Sequence, residues 1–69
     1  MNVAIDIAEL RAEMARRLWR QQELADRTGL SRATVAWILR GAKPSERAGK
    51  LILKALGEEG AERVIKKEF

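Results

Sequence analysis

The tripeptide Gly29-Leu30-Ser31 constrains the fold more than any other feature of the sequence, because it combines a helix end with a helix start. Glycine readily adopts the left-handed backbone conformation that commonly ends a helix. A serine just before a helix accepts a hydrogen bond from an otherwise unpaired backbone N–H group. Leu30 is placed to pack on the helix before it and on Val35 of the helix after it. The tripeptide therefore predicts two helices joined by a tight turn.

The helix upstream of the turn is predicted over Gln21–Thr28, where Leu24 and Ala25 face inward. The small side chain of Ala25 permits the next helix to pack closely against this one. Close packing and the sharp turn at Gly29 together leave the start of the next helix protruding. A helix that protrudes in this way can enter the major groove of DNA.

The helix downstream of the turn is predicted to end at Gly41, and it places Val35, Ile38 and Leu39 on one buried face. Trp37 does not lie on this face. At about 100° per residue, its side chain points roughly 150° away from the centre of the apolar stripe. An outward-facing tryptophan risks nonspecific association, so we expect it to meet DNA, a second protein chain or the domain's own fourth helix.

Three further helices complete an all-α arrangement. The first is predicted over Ile7–Leu18 with Asp6 as its cap, and the fourth follows a cap at Ser45 and runs to about Leu56. The last is predicted over about Gly60–Lys67. The sequence thus predicts one compact five-helix domain over residues 1–69. Its further core positions are Ile7, Leu10, Met14, Leu18, Leu51, Ile52, Ala55 and Leu56.

The composition argues against catalysis and against a bound cofactor. The chain has no histidine and no cysteine, so the commonest general base, the commonest metal ligand and any disulfide are absent. The carboxylates lie at helical spacing among lysines and arginines and are interpreted as a solvated face. We therefore expect no enzyme activity, metal, cofactor or small-molecule ligand. No apolar run approaches the roughly 20 residues of a membrane span, which favours a cytoplasmic protein.

Basic charge is concentrated in the middle of the chain. Residues 11–54 contain eleven basic and four acidic side chains, a net charge of +7, whereas the segments on either side are slightly negative. This distribution favours a polyanionic partner for the middle of the chain over a charge that serves solubility alone.

The segment "QQELADRTGLSRATVAWILRGAKPS" resembles the helix-turn-helix of the phage lambda repressor and Cro superfamily, also called the Cro/XRE type. The matching residues are Gln21, Leu24, Ala25, Gly29, Leu30, Ser31, Val35, Ile38, Gly41, Pro44 and the run Ala55–Gly57. The resemblance covers nearly the whole chain and implies a five-helix lambda-repressor-like DNA-binding domain. A weaker similarity connects "SRATV" to the headpieces of the lac repressor family, which begin at the helix-turn-helix itself.

Three features depart from the superfamily pattern. Arg20 stands where a Ser or Thr cap is usual, and the glycine that customarily lies between the first two helices is missing. Trp37 and Leu39 occupy positions where polar residues are common. The groove chemistry is therefore this chain's own.

The resemblance implies that the third helix reads base edges and that Arg32 stands where members of the superfamily place a base-reading side chain. From their outward position on this helix, we expect Ala33, Ala36 and Trp37 to contact bases as well. Arginine can pair bidentately with guanine, and the alanines and the indole ring can lie against thymine methyl groups. A contact with phosphate alone is the alternative for Arg32.

The residues expected to contact phosphates are Gln21, Thr34, Arg40, Lys43, Ser45 and Arg47. Gln21 starts the second helix, where the partial positive charge of the helix end favours a phosphate. For Arg40, a favourable interaction with the helix dipole is the alternative explanation. Both explanations also apply to Arg16, Arg17 and Arg20 at the end of the first helix.

The last helix is unusually apolar for its length, through Val64, Ile65 and the following Phe69. These residues either close the core of the monomer or form a homodimer interface, which members of the superfamily have near this end. A dimer would match two half-sites one helical turn apart.

These expectations favour a sequence-specific repressor of transcription that binds double-stranded DNA, of the phage or prophage Cro type. It would occlude a promoter as a homodimer on a palindromic operator, in the cytoplasm of a bacterial host and associated with the nucleoid when bound. A DNA-binding antitoxin of a toxin–antitoxin operon and a protein-interaction module on the same fold are the alternatives. The third helix has no acidic side chain, which argues against the interaction module.

Overall fold

The computed structural model describes residues 4–66, whose α-helices pack around one core. The helices are α1 (Ile7–Arg17), α2 (Gln21–Thr28), α3 (Arg32–Leu39) and α4 (Glu46–Val64). α4 packs against α1 and α2, and α3 packs against α2 and α1. The all-α prediction is confirmed within the described residues, which contain no strand longer than an isolated bridge. Five separate helices are not confirmed, because the expected fourth and fifth helices form the single kinked element α4.

Hydrogen-bonding side chains define the starts of three helices. Asp6, Ser31 and Ser45 each accept a hydrogen bond from the backbone N–H three residues later, at 3.1–3.2 Å. These bonds satisfy donors that a helix start leaves unpaired, and each stabilises the fold by about 1 kcal/mol. Arg20 precedes α2 and makes no such bond.

Every helix contributes at least one fully buried side chain to the core. These side chains are Leu10 of α1, Leu24 of α2, Val35 of α3, and Ile52 and Val64 of α4. The inward faces predicted for α2 and α3 are confirmed, because Ala25, Ile38 and Leu39 are buried as well. Apolar spacing at a period of 3.6 residues was therefore a sufficient signal for both helices of the tight turn.

The end of α1 differs from the predicted arrangement. Leu18, expected in the core, has a left-handed backbone (φ 59°, ψ 35°) and is 88% exposed. The N–H groups of Leu18 and Trp19 donate to the carbonyls of Ala15 and Met14, which closes the helix. This closure turns Leu18 outward and brings Trp19 against the core. Leu18 thus occupies a position at which helices most often have glycine, and the customary glycine is missing from this part of the sequence.

α4 bends at Gly57, whose backbone conformation (φ 79°, ψ 177°) is essentially open to glycine alone. Gly60 lies one turn later and is buried. A Cβ atom at this position would lie 2.6 Å from Arg17 Nη2 and 2.9 Å from Leu56 Cβ. The two glycines have different roles, since Gly57 supplies the bend and Gly60 lets α1 approach the last turns of α4.

The two ends of the described region meet in a short antiparallel bridge between Ile5 and Ile65. Two backbone hydrogen bonds, of 2.8 and 2.9 Å, flank this pair. The helix accordingly ends at Val64, three residues before the predicted end at Lys67. The bridge also holds Ile5 against the core.

The residues expected at a homodimer interface have three different outcomes. Val64 is fully buried in the core of the monomer, so its expected role is corrected. A side chain with no exposed surface has nothing to offer to a second chain. Ile65 remains 39% exposed, and Phe69 lies outside the described residues.

Candidate nucleic-acid interface

The turn between α2 and α3 has the predicted tight geometry. Gly29 is left-handed (φ 78°), and its N–H donates to the Ala25 carbonyl at 2.9 Å. The hydroxyl of the buried Thr28 donates to the Leu24 carbonyl at 2.7 Å and accepts from the Leu30 N–H at 3.2 Å. These bonds fix the direction in which the chain leaves α2 and enters α3.

The rotation of α3 about its axis is set by contacts on its inner side. Val35 and Ile38 are buried, and Arg11 of α1 donates a hydrogen bond to the Leu39 carbonyl at the end of the helix. Trp37 consequently faces outward and is 69% exposed. The prediction that Trp37 lies off the buried face is confirmed. This exposure does not fit the alternative in which the ring packs over the fourth helix.

The outer side of α3, with the residue that caps its end, is basic at both ends and apolar in the middle. We call it the α3 surface, and its residues are Arg32, Ala33, Thr34, Ala36, Trp37 and Arg40. All of them are exposed except Ala36, which is half-buried. The Ser31 hydroxyl donates to Thr34 Oγ1 at 2.8 Å and so orients that threonine.

Four further residues were predicted to contact phosphates, and all of them are exposed. They are Gln21 at the start of α2, Lys43 and Ser45 between α3 and α4, and Arg47 in the first turn of α4. The Ser45 oxygen already accepts a bond from a backbone N–H, but its hydroxyl can still donate to a phosphate. No side-chain cap occupies the first N–H groups of α2 next to Gln21, and such groups favour an anion.

The cations of this region have no counter-charge within the described part of the chain. These cations are Arg32, Arg40, Lys43 and Arg47. No ion pair between described residues includes any of them. From position 28 to position 45 the sequence has three basic side chains, those of Arg32, Arg40 and Lys43, and no acidic one. A surface of this kind attracts a polyanion, and binding releases the counterions that the polyanion holds.

A second group of arginines surrounds a buried carboxylate, and the sequence reasoning missed it. Glu13 of α1 is 2% exposed and accepts hydrogen bonds of 2.8–3.1 Å from Arg16, Arg17 and Arg63. We call these four residues the Glu13 cluster. The hydrogen bonds, from Arg63 above all, hold the pKa of the Glu13 carboxyl far below its ordinary value of 4.5. The interpretation of the carboxylates as a solvated face is therefore wrong for Glu13.

The Glu13 cluster joins α1 to the part of α4 that follows the bend. Arg17 also donates to the Leu56 carbonyl, directly before Gly57, while Arg63 comes from the far side of the bend. The guanidinium of Arg17 lies 4.9 Å from the centre of the Trp19 ring. Arg16 and Arg17 therefore have a role in the fold itself, beside the phosphate contact and the dipole interaction considered for them.

Part of the cluster has a signal in the sequence. Arg16 and Arg17 follow Glu13 by three and four residues, the spacing at which side chains on one helix meet. Arg63 is 50 residues away from Glu13, and only the tertiary fold brings it there.

Neither a membrane-spanning helix nor a metal-binding group is found between residues 4 and 66. No helix there is both long and apolar enough to cross a membrane. The same residues contain no group of three or more side chains that would suit a metal ion.

A family model described as a helix-turn-helix domain matches residues 8–64, which is most of the chain. The match includes all of α2, the tight turn and α3. Neither the curated proteins nor the solved structures include a significant match to the chain. The family match is consistent with the resemblance to the Cro/XRE superfamily. The chain belongs to the helix-turn-helix domain family.

Proposed function

We propose that this chain is a sequence-specific repressor of transcription, of the phage Cro type, that binds double-stranded DNA. It acts as a homodimer on a palindromic operator in a bacterial cytoplasm and occludes a promoter while bound to the nucleoid. Membership of the helix-turn-helix family supports DNA binding in a regulatory role, and this family is typically non-enzymatic. In this proposal α3 lies in the major groove with its outer side toward the bases.

The observation that carries the proposal is the uncompensated charge around α3. Four cations, Arg32, Arg40, Lys43 and Arg47, are exposed and have no acidic partner among the described residues. Arg32 opens α3, where a bidentate pair with guanine is worth about 1–3 kcal/mol of discrimination. The other three, with the neutral donors of Gln21, Thr34 and Ser45, suit phosphates and so fix the register of α3 on the duplex.

A protein-interaction module on the same fold explains this charge less well. A partner protein would need a matching acidic surface, whereas every DNA duplex has one. An antitoxin would bind DNA through the same residues, so the presence of a toxin partner is what would distinguish it.

The homodimer is proposed from the symmetry that a palindromic operator requires and from the exposure of Ile65. Ile65 lies on the terminal bridge, next to the last residues of the chain. Ile65→Asp is expected to weaken cooperative binding to a palindrome while circular dichroism shows unchanged helix content. Unchanged cooperativity in this variant would place the interface elsewhere.

Selection from random duplex DNA, followed by titration of the selected duplex, tests the function. We expect two inverted half-sites about 34 Å apart, which is one helical turn. With three cations per subunit on phosphates, the plot of log K against log[salt] should have a slope of about −2.7 per subunit. A selection without enrichment, or binding that salt does not weaken, would refute the proposal.

Two lysines provide a matched control for the position of the charge. Lys43 and Lys54 are both exposed, but Lys54 lies about 12 Å along α4 from its first residue. Lys43→Ala should weaken binding to all sequences about equally and make the salt slope shallower by about 1, whereas Lys54→Ala should change neither. Equal effects of the two changes would mean that general charge drives the binding.

A further inference from the structure

Three apolar side chains occupy the middle of the α3 surface, between Arg32 and Arg40. We call them the apolar patch, and they are Ala33, Ala36 and Trp37. Residues three and four positions apart are neighbours on a helix, so the patch is continuous. The helix rises about 12 Å from Arg32 to Arg40, which corresponds to about three base pairs at 3.4 Å each. The patch therefore lies at the centre of the sequence that α3 can reach.

The apolar patch has almost no hydrogen-bonding capacity. Its one polar group is the indole N–H of Trp37, which is a donor. α3 contains no amide and no carboxylate side chain, the groups that would accept from the amino groups of adenine or cytosine. The one hydroxyl of α3 belongs to Thr34, whose oxygen already accepts a bond from Ser31. The middle of the outer side of α3 therefore presents apolar surface, and not hydrogen-bond acceptors, to the base edges.

The shape of the patch fits a small apolar group. Trp37 presents a broad ring face at 69% exposure, while Ala33 and Ala36 are too short to cover it. The exposed ring and the two alanines are therefore open to contact by a small apolar group such as a methyl. In the major groove, the only apolar group on a standard base pair is the C5-methyl of thymine. A cytosine methylated at C5 presents a methyl group at the same ring position.

We propose that the apolar patch recognises the C5-methyl group of a pyrimidine. Each half-site then contains thymine opposite Trp37, and 5-methylcytosine is bound better than cytosine at that position. C5 methylation therefore strengthens binding to a half-site that has cytosine in place of this thymine. This inference rests on the proposed function, because it requires α3 to lie in the major groove.

The test removes single methyl groups from the selected duplex. Replacement of one thymidine at a time by deoxyuridine exchanges the C5-methyl group for hydrogen and leaves the base-pairing edge intact. We expect one or two positions in each half-site to lose about fourfold in affinity per methyl group. Uracil outside the half-sites is the control and should have no effect. In the opposite direction, 5-methylcytosine should bind about fourfold better than cytosine at the same position.

Two variants connect the methyl effect to the patch. In Trp37→Ala, the same uracil substitutions should weaken binding by less than about twofold, because most of the contact is gone. In Arg32→Ala, a neighbouring change that spares the patch, the fourfold effect should persist. Trp37 does not belong to the buried core, so Trp37→Ala should leave the helix content unchanged, and circular dichroism of the free protein checks this.

The outcomes separate this inference from the proposed function. Specific, salt-dependent binding that no uracil substitution weakens would overturn the methyl inference and leave the repressor intact. A uracil effect of equal size in the wild type and in Trp37→Ala would likewise overturn it. If no duplex is selected at all, the repressor proposal fails and the methyl inference fails with it.

Discussion

The Glu13 cluster and the α3 surface are both rich in arginine, but only the cluster contains a carboxylate. Arg16, Arg17 and Arg63 converge on Glu13, and each of them donates two hydrogen bonds within the fold. Arg32 and Arg40 have no such partner among the described residues, and their guanidinium groups face solvent. The same side chain therefore stabilises the monomer in one region and is available to a polyanion in the other.

This comparison shows that the positions of the acidic residues, more than the number of basic ones, decide which surface is available to a polyanion. The whole chain has a formal net charge of only +4, which is modest for a protein that binds DNA. The stretch from position 28 to position 45 has no acidic residue, and its cations Arg32, Arg40 and Lys43 have no acidic partner among the described residues. Such an uneven distribution of charged side chains concentrates the positive electrostatic potential on one face of the protein.

The largest effect is expected from removal of the charge at the centre of the Glu13 cluster. Glu13→Gln keeps the size of the side chain but leaves three arginines around a neutral group. Because Glu13 is buried and its partners are partly exposed, the free energy of unfolding should fall by about 2–3 kcal/mol. Urea denaturation measures this. Glu23→Gln, which breaks the exposed pair with Arg27, is the control and should cost less than about 1 kcal/mol.

The same cluster predicts a dependence of stability on pH. The folded-state pKa of Glu13 lies below its ordinary value of 4.5, so the ionised carboxylate stabilises the fold fully above that pH. As the pH falls below 4.5, this contribution is progressively lost. The difference in unfolding free energy between the wild type and Glu13→Gln should therefore narrow in acid. A difference that stays constant down to about pH 3 would contradict the assignment of the effect to this carboxylate.

Loss of an arginine from the α3 surface should leave the stability of the fold nearly unchanged and alter DNA binding instead. Arg32→Ala should leave the free energy of unfolding within about 0.5 kcal/mol of the wild type. It should relax discrimination at one base position in each half-site, by about 1–3 kcal/mol. Binding selection on the variant measures this. A uniform loss over all sequences would mean that Arg32 contacts phosphate alone.

The smallest effect is expected at Leu18, in the turn that follows the cluster. Its left-handed backbone is costly for leucine and not for glycine, and its side chain is largely exposed. Leu18→Gly should therefore raise the free energy of unfolding by about 1 kcal/mol and leave DNA binding unchanged. Thermal denaturation checks this prediction. A loss of stability would mean that the side chain makes a contact that its exposure does not indicate.

The sequence predicted those parts of the molecule that depend on neighbours along the chain. Helix caps at Asp6, Ser31 and Ser45 are local features, as is the turn at Gly29, and all four are confirmed. The outward position of Trp37 follows from helical periodicity alone. Local patterns therefore suffice for the helix-turn-helix and for the residues that it exposes.

The features that escaped prediction depend on contacts between distant parts of the chain. Val64 was compatible with a core or an interface, and only its packing in the fold decides for the core. Arg63 reaches Glu13 because the bend at Gly57 redirects α4. The exposure of Leu18 follows from how α1 is closed, which its place in the apolar stripe did not reveal.

The central claim is that the two arginine groups have separate tasks, and side-chain NMR tests it most directly. Titration of the selected duplex into the labelled protein should shift the Nε–H signals of Arg32, Arg40 and Arg47. The signals of Arg17 and Arg63, held by Glu13, should keep their free-protein positions throughout. Movement of the Glu13-bound arginines with no change at Arg32 and Arg40 would contradict the account and place the DNA on the other side of the molecule.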